Sequence, residues 1–229
     1  MTAPPPASPT AHPDALPSGL RAVDLPLAGR PPHVAHVDRE LPLLAVDIAA
    51  FGDPRRDDEV QLHLRRALYA RLEEAFAMTG LPWPGCYRED RGDGALVVVP
   101  PQVDPGNLLA PLGHHLNAVL RRSNKMASEA AHLRVRVAAH IGRVHGDDNG
   151  VAGTSLVRLF RLLEAPAFKR ALDASGADVG LLASDHLHEI ARAGGGFFDP
   201  AAYEPLAVRC KETRTRAWLW LPCPGARPR

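Results

Sequence analysis

Cysteine is scarce in this chain, long apolar runs are missing, and neither sign of charge dominates. The three cysteines (Cys86, Cys210 and Cys223) lie far apart, odd in number and without metal-ligand spacing. That excludes a disulfide framework or a cysteine zinc site and reads as three reduced thiols in a cytoplasmic protein. With 27 Lys and Arg against 26 Asp and Glu, a formal net charge of +1 removes the electrostatic case for nucleic-acid or membrane-surface partners. No apolar run approaches the roughly 18 residues that span a bilayer. Prolines occupy the N-terminus where an export signal needs an apolar core, so a cytoplasmic location is expected.

What is present is ordinary globular material: 229 residues, 45% apolar and 23% charged, enough for one sizeable domain plus a tail. Residues 1–38 stand apart, with Pro4-Pro5-Pro6, Pro9, Pro13, Pro17, Pro26 and Pro31-Pro32 among Ala, Ser and His. Proline lacks a backbone donor and fixes φ, so this stretch reads as a disordered or polyproline-like arm. The folded domain is expected over 39–223, with a short tail at 224–229.

Leu43 to Ile48 reads as a strand buried on both faces. Asp53-Pro54 predicts a helix start, a capping carboxylate followed by a residue whose missing donor costs nothing at the first helical position. Val60, Leu64, Leu68, Leu72 and Phe76 then recur every fourth residue, an amphipathic helix closed by Gly80 and Pro82. Residues 84–90 and 95–100 flank Gly92-Asp93-Gly94, a hairpin signal of the Asp-Gly type. A helix from Leu108 to Leu120 follows, then a strand in which Leu133, Val135, Val137 and Ala139 alternate with Arg134, Arg136 and His140. Thr154 or Ser155 caps a helix running towards Leu172, kinked or broken at Pro166. Strands at 179–183 and within 206–221, with a short helix near 185–193 between them, complete the chain. Interleaved α and β elements with hairpins predict an α+β fold rather than a doubly wound sheet.

Two aspartates carry the chemical signal. Asp47 ends an apolar strand and Asp93 sits in a glycine-flanked turn, so both lie where strands give way to turns. Paired carboxylates at neighbouring strand ends can hold two divalent cations against a triphosphate and steady both the attacking and the leaving oxygen. Taken singly, each has a plainer reading: a capping carboxylate for Asp47, a turn residue for Asp93.

In order, Asp47-Ile48 with nearby Phe51, Gly92-Asp93, the segment Arg136 to His140 and Gly142, then Gly153 followed by Leu156, Val157 and Arg161, resemble the class III nucleotidyl cyclase domain, the catalytic fold of adenylate and guanylate cyclases. Lys211 falls where that family has Lys-Gly before its final strand, although Glu212 replaces the glycine. The resemblance runs from about Leu43 to about Pro222. It implies an α+β, ferredoxin-like or palm-type mixed sheet with helices packed on one face. It also implies two Mg²⁺ or Mn²⁺ ions on Asp47 and Asp93, hard cations that prefer oxygen ligands, with the Ile48 carbonyl completing one shell. The small turn Ala49-Ala50-Phe51-Gly52 would let backbone donors approach phosphate oxygens. Arg161, with Lys211, would stabilise charge developing on the phosphate, and Arg161 would come from a partner in a head-to-tail homodimer.

Two departures bear on activity. The family's ribose-orienting asparagine is replaced by Val157, which offers no hydrogen bond; one lost positioning contact is worth on the order of 10²-fold in rate. Arg158 is adjacent but turned about 100° around the helix. At the base-selecting position stands Glu89, whose carboxylate suits the guanine N1–H and N2–H₂ donors, so GTP is favoured. The second base-reading position is Gly150, without a side chain, and Asp147 or Asp148 is the candidate substitute. His114-His115, adjacent on a helix, face apart and read as surface residues. His140 reads as structural, while Arg134 and Arg136 fit either a phosphate groove or a solvated strand face.

Two functions remain in play, a nucleotidyl cyclase forming a 3′,5′-cyclic nucleotide and pyrophosphate, or a degenerate homology domain that binds nucleotide or dimerises. A diguanylate cyclase ranks last, because Arg91-Gly92-Asp93-Gly94 lacks that family's second acidic residue.

Overall fold

The computed structural model describes residues 39–195 and 198–222. The proline-rich arm, Cys223 and the expected C-terminal tail lie outside the described residues. Nine strands and five α-helices follow one another as β1 (Leu41–Ile48), α1 (Asp58–Thr79), β2 (Tyr87–Asp90), β3 (Gly94–Val98), α2 (Ala110–Asn124), β4 (Val135–Gly142), β5 (His145–Asp147), β6 (Gly150–Ala152), α3 (Thr154–Leu163), α4 (Pro166–Ser175), β7 (Val179–Ser184), α5 (Asp185–Gly194), β8 (Glu204–Cys210) and β9 (Thr213–Trp220), among the described residues. Seven strands form a mixed sheet in the order β2-β3-β1-β4-β7-β9-β8, and β5-β6 is a separate hairpin. Only β4 and β7 pair in parallel, joined through α3 and α4; the other ladders are antiparallel. This is the expected α+β sheet.

Side-chain alternation on β1 explains the layers. Leu44, Val46 and Ile48 pack with α1, α2 and α5 in one core, the layer expected on one face. Leu43 and Ala45 point the other way, into a second core with Leu156, Leu159 and Phe168 of α3 and α4. Both faces are therefore covered, which is why β4 is buried almost throughout rather than on alternate residues. Asp47 shares the α3–α4 side with Leu43 and Ala45.

Several local expectations shift. Helix α1 begins five residues after Asp53, because Asp53 is taken by Arg55 and the true cap is Asp57, accepting from the Val60 N–H at 3.0 Å. Arg56 ties the intervening turn down, donating to the Ala49, Ala50, Ala130 and His132 carbonyls. The predicted break at Pro166 is complete: α3 ends at Leu163, and α4 restarts with proline in its first turn. Neither Thr154 nor Ser155 caps α3, whose N-cap position is Gly153 with no side-chain bond.

The β2–β3 turn is centred on Gly92-Asp93 rather than Asp93-Gly94, with Gly92 at φ 83° and the Arg91 N–H bonded to the Gly94 carbonyl at 2.9 Å. Gly94 belongs to β3 and faces Asp47 across the ladder. A Cβ there would lie 2.1 Å from the Val46 carbonyl oxygen, backbone against backbone. Gly94→Ala should therefore destabilise the fold by about 3 kcal/mol, the upper range for overpacking, measured by denaturant unfolding.

His140 is 3% exposed, its Nδ1 hydrogen-bonded to Ser184 Oγ at 2.8 Å, and Ser184 also caps α5 through the Leu187 N–H. Burial, helped by the nearby Arg158 charge, pushes its pKa down to about 4. The folded protein thus binds fewer protons than the unfolded chain between about 4 and the ordinary value near 6.5. Stability contributed by His140 is complete above about pH 6.5 and lost as pH falls towards 4, roughly 3 kcal/mol in all. Unfolding free energies at pH 7 and pH 4.5 should differ by most of that amount, and His140→Gln should flatten the difference.

Candidate functional site

Asp47 is the last polar position of β1 and stands opposite Gly94 of β3 on one side and Arg136 of β4 on the other. Arg136 grips it in a two-pronged pair, Nε to Oδ1 and Nη2 to Oδ2, both at 2.8 Å. The two side chains are only 14% and 13% exposed. Burial pushes the Asp47 carboxyl above its ordinary value, the Arg136 hydrogen bonds and charge pull it back, and the Asp93 charge adds to the upward push.

Asp93 reaches the same place by another route. Its carbonyl accepts the Ile48 N–H at 2.9 Å, stapling the β2–β3 turn to the end of β1. Asp47 and Asp93 then line one cleft of about 470 Å³ together with Arg91, Arg136, Glu164 and Lys169; Phe160, Leu163 and Cys210 supply apolar wall. Arg91 also lies over the Phe160 ring. Sequence reading missed Glu164, Lys169 and Arg91 as cleft residues. The signal for the first two was the Pro166 break, which sets where α3 stops and how α4 is aimed.

The β1–α1 turn is partly committed. The Ile48 side chain is buried, and the Ala49 N–H donates to the Arg134 carbonyl at 2.8 Å. Ala50 adopts a left-handed φ of 54°. Phe51 lines a neighbouring, mostly apolar groove of about 550 Å³ with Leu62, Arg65, Gly92 and Asp93. The first turn of α1 carries Asp58 and Glu59 beside the Asp57 cap.

Glu89 is engaged on every side. Its Oε1 accepts from Tyr87 Oη at 2.5 Å and from the Val151 N–H at 3.1 Å, and its Oε2 pairs with Arg91. The carboxylate thereby ties β2 to the β5–β6 hairpin. Gly150 follows from this closeness, since a Cβ there would sit 2.5 Å from Glu89 Oε1. Asp147 accepts the Asn149 N–H within the hairpin, while Asp148 borders a small cleft with Glu89.

Arg161 and Lys211 do not line the cleft themselves but come together at its rim, around Glu164 of its wall. Arg161 donates to Glu212 at 3.0 Å and lies 3.6 Å from Glu164, which is also 4.0 Å from Lys211 Nζ. Lys211 occupies the β8–β9 turn at φ 50°. Val157, one helical turn before Arg161, is 48% exposed and has nothing polar to offer. Arg134 is structural, donating to the Ala177 and Leu172 carbonyls. His115 bonds Thr79, and His114 rests edge-on against Trp220.

For a divalent cation, the donor chemistry fits: two hard carboxylates face one cleft beside the end of a strand. No group of three or more His, Cys, Asp or Glu suited to a metal occurs among the described residues. Arg136 is the competitor, since a cation on Asp47 must displace or share that guanidinium. No helix among the described residues is long and apolar enough to cross a membrane.

Replacing Glu89 by lysine would strand the Val151 donor and set like charges beside Arg91. Glu89→Lys should cost about 3 kcal/mol of stability, read by thermal or denaturant unfolding.

No family model matches the sequence, and no curated protein matches it. Solved structures do. The guanylyl cyclase Cya2 superposes with a TM-score of 0.59 at 16% identity, covering 82% of this chain and 93% of that one. The guanylate cyclase domain of RhGC from Catenaria anguillulae, solved in complex with GTP, gives 0.54 at 17% identity over 79% and 95%. A bacterial light-regulated adenylyl cyclase gives 0.58 at 12% identity over 81% and 53%. The chain has the α+β fold of class III adenylate and guanylate cyclase domains.

Proposed function

We propose that this is a nucleotidyl cyclase-homology domain that binds a nucleoside triphosphate in the Asp47–Asp93 cleft and cyclises it slowly at best. The observation that carries the reading is the convergence of Asp47 and Asp93 on one charged cleft. The family resemblance would put the exposed, apolar Val157 of α3 at the ribose, where it offers no hydrogen bond. Asp47 and Asp93 would hold Mg²⁺ or Mn²⁺ arriving with the triphosphate, and the metal would supply charge neutralisation at phosphate oxygens. Arg136 keeps the buried Asp47 carboxylate compensated until then, which avoids an isolated charge in a desolvated place.

Guanine is the favoured base on the chemistry of Glu89. Because that carboxylate must release Tyr87, Arg91 or Val151 to meet a base, the preference for GTP is small. A head-to-tail homodimer would bring Val157 and Arg161 of one copy to the cleft of the other. For Arg161 to act there, its contact with Glu212 must open.

A pure dimerisation scaffold is the second reading. The acidic first turn of α1 favours it, since Asp57, Asp58 and Glu59 repel a triphosphate tail from that helix end.

Purified protein incubated with each NTP and Mn²⁺, followed by mass spectrometry, should yield little or no cyclic product. Val157→Asn should raise turnover on the order of 10²-fold, and adding Asp47→Ala should abolish it. Calorimetry with a non-hydrolysable GTP analogue and Mn²⁺ should show binding by the wild type; its absence would sink nucleotide binding and leave the scaffold.

A further inference from the structure

The cations around the cleft are unequally free. Arg136 is paired with Asp47, Arg91 with Glu89, and Arg161 with Glu212, while Lys211 lies beside Glu164. Lys169 also lines the cleft, half-buried and near enough for its charge to pull the Asp47 carboxyl down, yet among the described residues no carboxylate lies within ion-pair distance of it. We propose that Lys169 of this same chain is the side chain that binds the polyphosphate of the nucleotide in the Asp47–Asp93 cleft. This rests on the nucleotide-binding reading above and deepens it by naming the group that meets the phosphates.

The backbone aims Lys169 there. Pro166 ends α3 and starts a new helix axis, and the Lys169 N–H closes the first turn on the Ala165 carbonyl at 3.1 Å. Phe168 and Leu172 are fully buried against the sheet and fix the rotation of α4. Lys169 follows Phe168 and so falls at the helix edge, over the side of the sheet that carries Asp47. An ammonium on a flexible stem can follow a phosphate chain without breaking a hydrogen-bonded ion pair. The four neighbouring cations, by contrast, would each have to leave a carboxylate. A polyphosphate also brings the negative charge that offsets Lys169, so binding adds an ion pair to the cleft rather than exchanging one.

The test is titration of the full chain with inorganic tripolyphosphate, and separately with a non-hydrolysable GTP analogue, each with Mn²⁺, followed by calorimetry. Lys169→Met should weaken both ligands about tenfold, the scale of one charge-assisted hydrogen bond. Lys169→Arg should retain binding within a few-fold. Arg170→Met, which removes the same charge from the same helix at an exposed position, should bind as the wild type does. Circular dichroism confirms that the variants are folded. Wild-type affinity in Lys169→Met, or an equal loss in Arg170→Met, would overturn the assignment while leaving nucleotide binding intact. Failure of the wild type to bind either ligand would overturn both.

Discussion

The site hangs on the register of β1 between β3 and β4. That register sets a buried carboxylate, Asp47, opposite a glycine on one strand and an arginine on the other. A charge so desolvated needs a partner, and Arg136 supplies two donors in the planar geometry that suits a carboxylate. Gly94 is the complementary condition. Only a residue without a side chain lets β3 close on β1 there, and the turn that follows from it delivers Asp93 to the same cleft. A one-residue slip would turn Asp47 into the core beneath α1 and α2.

A second constraint is the saturation of the polar groups the chemistry would use. Glu89 fastens a hairpin, Arg161 holds a turn glutamate, and Arg56 anchors backbone carbonyls. Each contact stabilises the single chain, and each must be exchanged before the same group can meet a ligand. The carboxylates of the Asp47–Asp93 cleft suit a metal, whereas Glu89 and Arg161 are engaged and Val157 is apolar. In the proposed reading that imbalance would favour binding over turnover.

Much of the architecture was legible in the residues themselves. The four-residue recurrence in α1, the apolar run of β1 and the Pro166 break all report backbone physics that acts over a few residues. The helix start at Asp53 was misread because Arg55 and Arg56, invisible as partners in sequence, hold that segment in turns. The turn centre moved from Asp93-Gly94 to Gly92-Asp93 because Gly94 is required across the sheet, a long-range demand. The β5–β6 hairpin is too short to leave a periodic signal.

Asp47, Asp93 and the identity of Val157 were determined by the sequence alone, because residue types at strand ends and helix positions carry their chemistry locally. Only the tertiary structure decided who partners whom: Arg136 with Asp47, three donors on Glu89, Glu212 with Arg161, and Lys169 in the cleft near Asp47. These pairings join residues up to 89 positions apart. They depend on sheet register and helix rotation, which follow from packing two cores at once.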